Sequence, residues 1–135
     1  VAEEEERMSK VILVVRILLG LMFFVFGLNG ILNFMKAPPI PGDAGVFTGV
    51  LMVHGFMKFV GVLQLVAGLL LLVGRYVPLA LVILGPILVN ILLFHILLLP
   101  EGLGMAVPVA LMEVFLIWAY RRSFRGLFDA APEIG

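Results

Sequence analysis

Apolar residues fall into four long runs, parted by short clusters of proline, glycine and charge. The first run, residues 11–35, is long enough as a helix, about 37 Å, to cross a bilayer with some tilt. After it, Ala37 to Gly45, with three prolines and two glycines, cannot continue the helix and reads as an external loop. The chain is apolar again from Val46 to Gly74, longer than one crossing requires. We assign residues 50–73 to the second span, with residues 46–53 beginning as an interfacial segment and Gly55 permitting a bend. The third span, residues 77–99, opens on Pro78, where proline is tolerated, and stops before Pro100. Pro86 lies mid-span after Gly85, where it is expected to kink the helix and leave the Val82 carbonyl unpaired. The fourth, residues 105–120, has Pro108 in its first turn and Glu113 as its one charge.

The pattern therefore predicts an all-α integral membrane four-helix bundle of antiparallel up-down topology, with a polar acidic leader at 1–10, a transmembrane domain at 11–121 and a basic, then polar, tail at 122–135. Composition agrees: 63% of the 135 residues are hydrophobic and 13% charged, against roughly a half and a quarter in soluble domains. The acidic start is unlike a secretory leader, so the first span is expected to be retained. Lys and Arg give the orientation. Arg7, Lys10, Arg75, Arg121, Arg122 and Arg125 lie on the side of the termini and only Lys36 on the other, which places both termini in the cytoplasm.

Charge and polarity inside the spans are costly and mark candidate chemistry. On the second span His54, Lys58, Gly61 and Gly68 share one face, with Gln64 at its edge. Counting about 1.5 Å per residue from the outer boundary places Lys58, Asn90 and Glu113 at about 12 to 14 Å depth, with Asn29 slightly shallower. His54, His95 and Asn33 form a layer above them. These eight residues define an expected polar pocket in the outer half, anchored by an ion pair between Lys58 and Glu113. Arg16, about 8 Å inside the first span, reads as a snorkelling interfacial arginine.

The absence of cysteine excludes disulfides, thiolate metal sites and thiol redox relays, and zero net charge gives no argument for nucleic acid. No metal-ligand spacing, phosphate loop or nucleophile set appears, so a complete enzyme is not expected. The two histidines admit non-covalent ligation of a haem or chlorophyll within a helix bundle.

Several stretches carry a family resemblance: Arg16-Ile17-Leu18-Leu19-Gly20, Phe26-Gly27-Leu28-Asn29-Gly30, the run from Gln64 to Gly74, and Gly85-Pro86-Ile87-Leu88-Val89-Asn90 continuing to His95. They resemble the DoxX-like family of small four-helix bacterial membrane proteins. The resemblance implies a multi-pass protein of the bacterial cytoplasmic membrane, associated with a redox or electron-transport system, whose pocket takes a quinone-like or lipid headgroup. Many family members carry Glu where this chain has Gln64. The alternative is a non-catalytic accessory subunit packed on a larger respiratory or photosynthetic complex, in contact with membrane lipids and other subunits. Glycines on the first two spans suit such close packing.

Overall fold

The computed structural model describes residues 1–135. It is all-helical, with five α-helices: α1 (Ala2–Leu32), α2 (Gly42–Val53), α3 (Phe56–Val73), α4 (Val77–Leu97) and α5 (Leu103–Ala119). Single-turn 3-10 helix at Pro100–Gly102 leads into α5, and a longer 3-10 stretch, Arg121–Phe128, follows it. The helices α1, α3 and α4, and α5 with its preceding turn, are each long and apolar enough to cross a membrane. Only 20 of 135 residues are buried, so most of the apolar side chains face outward, as lipid requires.

Several boundaries differ from the sequence expectation, among them residues 42–45, expected in the external loop but forming the first turn of α2. Residues 1–10 are not a separate leader, because α1 begins at Ala2. Glu3, Glu4 and Glu5 occupy its first turn, where the helix dipole favours negative charge, and Lys10 pairs with Glu6 at 3.4 Å one turn apart. At its other end α1 stops at Leu32 rather than residue 35. Asn33 turns left-handed (φ 51°, ψ 47°), a conformation Asn tolerates, and returns its N–H to the Asn29 carbonyl.

The second apolar run is divided. Gly55 adopts φ 77°, a left-handed conformation that suits glycine, so residues 50–53 belong to α2 and the span begins at Phe56. With 12 residues α2 is too short to cross hydrocarbon, and it lies against the bundle through Phe47, whose ring centroid is 6.0 Å from that of Phe94. The tail is not wholly polar surface either: Phe124 folds back and joins the core.

Apolar side chains gain little by moving from lipid to a helix interface, so close packing must hold the bundle together. Fully buried Leu19, Phe23, Leu71, Leu81, Leu84 and Leu116 form its centre. The tightest contact is between α1 and α3. There Gly20 faces Gly68 and Leu71, while Gly27 faces Gly61 and Leu65, so the two helices pass in opposite senses with glycines seven residues apart on each. A Cβ on Gly68 would lie 2.5 Å from the Phe24 nitrogen, so nothing larger than hydrogen fits between the backbones.

Candidate functional site

The eight expected pocket residues do not meet. Lys58 is exposed, and the single ion pair of the chain is Lys10 with Glu6. The expected Lys58–Glu113 pair is therefore not formed. A common depth does not bring side chains together when they point in different directions around their helices. Lys58 leaves α3 on its outer face, whereas Gly61, Gln64, Gly68 and Leu71 occupy the buried stripe.

The asparagines serve their own helices. Asn90 is exposed and its amide donates to the Pro86 carbonyl at 2.8 Å, one turn earlier. Asn29 accepts the Met35 N–H on its Oδ1 at 2.7 Å, closing the end of α1, and exposed Asn33 is the left-handed cap beside it. His54, at the C-terminus of α2, is exposed and has no hydrogen-bonded side chain. Gln64 is buried on α3.

Glu113 is buried as well: it is 4% exposed, and neither carboxylate oxygen has a hydrogen-bond partner. It shares the buried stripe of α5 with Ala106, Val109 and Leu116. Its Oε2 reaches the surface of α4 at Gly85, lying 3.7 Å from the position a Cβ would take there. The residue after Gly85 is Pro86, whose missing N–H removes the usual partner of the Val82 carbonyl. Helix α4 nonetheless runs through Pro86 without a break.

His95 lies near the end of α4 and is partly buried. Its Nδ1 is 3.1 Å from the Leu99 carbonyl, which can only accept, so Nδ1 carries a proton; in the tautomer with that one ring proton, Nε2 presents a lone pair. The ring is held from two further sides. Phe94 stands edge-on to it at 5.1 Å, and Gly102 packs so closely that a Cβ there would fall on the imidazole.

This imidazole lines a cleft of about 200 Å³ between α1, α4 and α5. Phe23 and Phe26 form one wall, Leu88 and Ile91 a second, and Met105, Ala106 and Val109 a third, with Gly102 beside His95. The site is thus an apolar aromatic slot with one fixed nitrogen, not the expected polar pocket. A dry apolar cavity of about 150 Å³ accommodates a benzene ring, so this one suits a single or fused pair of rings. It is smaller than a tetrapyrrole, and exposed His54 takes no part in it, so the cleft does not fit the haem or chlorophyll raised by the two histidines. Glu113 and Gly85 lie about one helical turn beyond Val109 and Leu88 along the same seam.

No group of three or more His, Asp or Glu side chains is arranged to hold a metal ion. Sequence reasoning found His95 but missed the apolar residues around it. Phe23 and Phe26 read as ordinary span residues, and Gly102 acts through the side chain it lacks.

No protein-family model matches the chain, and no solved structure matches it. It is similar to the uncharacterized protein YwoB of Bacillus subtilis (strain 168), with 31% identity over 125 residues, covering 87% of this chain and 81% of the relative. At that identity and coverage the chain belongs to the family of YwoB.

Proposed function

We infer that the protein is a redox-associated subunit of the bacterial cytoplasmic membrane whose α1/α4/α5 cleft binds the ring of a quinone-type molecule. The observation that carries this reading is the His95 imidazole, fixed by the Leu99 carbonyl at 3.1 Å and set in an aromatic slot of about 200 Å³. The Phe23 and Phe26 rings stand at 85° to one another, so a flat ring that stacks on one meets the other edge-on, both favourable aromatic contacts. A quinol hydroxyl has the proton that the free Nε2 lone pair accepts. A prenyl tail needs no protein at all, because the slot lies within the lipid-facing bundle. The DoxX-like resemblance supports the association with a redox system.

In this reading the four long helices form an up-down bundle with both termini cytoplasmic, which brings the cleft into the outer half of the membrane. The short helix α2 then rests at the outer surface. The test is a binding measurement on the detergent-purified chain with short-tailed ubiquinone and menaquinone analogues, beside a phospholipid control. Saturable binding of an analogue that His95→Phe abolishes without unfolding the protein supports the proposal. Equal binding by wild type and His95→Phe refutes it. Purification with bound haem or chlorophyll, seen in the absorption spectrum, also refutes it.

A further inference from the structure

A second site lies away from the cleft, where Arg16 is not the free snorkelling side chain of the sequence reading. Its guanidinium covers Gly74, the left-handed cap that ends α3: a Cβ on Gly74 would lie 2.6 Å from Nη1 and 3.0 Å from Nη2. This contact fixes the charge at the level of the α3–α4 turn, where the spans meet the membrane surface. Yet none of its donors has a hydrogen-bond acceptor in the protein, and Nε is buried as well as unpaired. A guanidinium held in place with unused donors is built for an anion.

A groove of about 370 Å³ runs beside it, lined by Ser9, Ile12, Leu13 and Arg16 from α1 and by Ala119 and Tyr120 at the end of α5. The four α1 residues follow the i, i+3, i+4, i+7 spacing of one helix face. Side chains on a helix lean toward its N-terminus, so Arg16 leans toward Ser9 and the aqueous end. The hydroxyls of Ser9 and Tyr120 make no side-chain hydrogen bond either. Ser9 and Arg16 thus stand about 10 Å apart at the two ends of this face, with the apolar Ile12 and Leu13 between them and Tyr120 on the facing wall.

An unpaired cation beside apolar side chains, near the end of the spans, matches a phospholipid, whose oxyanion lies next to hydrocarbon. Arg7, Arg75, Arg122 and Arg125 stand on the same side of the spans and are exposed. Glu6, ten residues from Arg16, is about 15 Å away along α1 and is engaged by Lys10. We propose that the α1/α5 groove binds the phosphodiester of an anionic phospholipid through Arg16, assisted by Ser9 and Tyr120. Basic pockets between spans recognise such headgroups elsewhere, and this one does not depend on what the cleft binds.

The experiment follows thermal unfolding and native mass spectra of the delipidated full chain with phosphatidylglycerol, phosphatidylcholine or inorganic phosphate. Wild type is expected to retain phosphatidylglycerol and to melt higher with it than with phosphatidylcholine. Arg16→Gln should bind it about tenfold more weakly, the loss of one charge-assisted donor group. Ala119→Phe, which fills the groove and keeps Arg16, should weaken binding likewise and decides the matter alone if Arg16→Gln fails to fold. Arg121→Gln should bind as wild type, because that guanidinium already donates to the Trp118 carbonyl at 2.9 Å and lies over the indole. A wild-type response in Ala119→Phe overturns the proposal, and so does an Arg16→Gln protein that folds and responds fully. A full response to inorganic phosphate alone assigns the groove to a free anion and overturns the lipid assignment.

Discussion

Gly27 and Gly61 meet backbone to backbone: a Cβ added to Gly27 would lie 2.5 Å from the Gly61 carbonyl oxygen, and one on Gly61 2.8 Å from that of Gly27. Carbonyl oxygens cannot swing aside as a flexible side chain can, so the helices themselves must part. Gly27→Ala and Gly61→Ala are each expected to destabilise the bundle by about 1–3 kcal/mol, the range for overpacking a close contact. Gly49 is also helical but has nothing within 4 Å of its Cβ position. Gly49→Ala should therefore be neutral or stabilise by about 0.5–1 kcal/mol through helix propensity. Reversible unfolding in mixed detergent checks all three, and equal effects at Gly27 and Gly49 would show that the glycine seam is not what holds α1 to α3.

Glu113 and Lys58 are expected to act independently. With no partner for either carboxylate oxygen, Glu113→Leu removes a polar group from an apolar interior and should be neutral or stabilising. Exposed Lys58 should tolerate Lys58→Met within about 0.5 kcal/mol. The double mutant should equal the sum of the singles within about 0.5 kcal/mol. Recovery in the double mutant of a loss seen in both singles would restore the ion pair.

The two outcomes illustrate how far the sequence reaches. Hydropathy located every long helix, since a run of apolar residues bounded by Pro or Gly has few other ways to satisfy its backbone in lipid. It also marked Gly55 as a bend, although not that the left-handed turn would set α2 apart as a helix. Depth was legible for Lys58, Asn90 and Glu113, but direction was not, because an isolated polar residue carries no periodicity of its own. Asn90 finds its acceptor one turn back at Pro86, and Asn29 closes its own helix end. Neither needed the pocket. The cleft was hidden for a different reason: seven of its nine lining residues are hydrophobic, so nothing in composition separates them from the lipid-facing surface.

Gly102 offers a separate test of the cleft. Its backbone is ordinary (φ −83°), so alanine meets no conformational penalty there, but its Cβ would occupy the space of the His95 ring. Gly102→Ala should displace the imidazole and break its contact with the Leu99 carbonyl. It is expected to lose quinone-analogue binding to the same degree as His95→Phe, while Gly104→Ala, which has nothing near its Cβ, should bind normally. Normal binding by Gly102→Ala would mean that the orientation of His95 is irrelevant to the cleft.

The position of α2 decides the topology, and the chain is suited to the measurement because it contains no cysteine of its own. Its 12 residues extend about 18 Å, short of the roughly 30 Å of hydrocarbon, so α2 should not cross. Asp43 and Arg75, which bracket α2 and α3, must then lie on opposite sides of the membrane, because only α3 separates them as a span. In the proposed topology, drawn from the charge asymmetry, Arg75 and Arg122 lie inside. In intact cells an impermeant maleimide should label Asp43→Cys and spare Arg75→Cys and Arg122→Cys, both of which should react once the membrane is opened. Labelling of 75 and 122 but not 43 would mean an inverted bundle. Labelling of 43 and 75 from the same side would mean that α2 crosses with α3 as a hairpin, and the arrangement of the outer cleft would have to be abandoned.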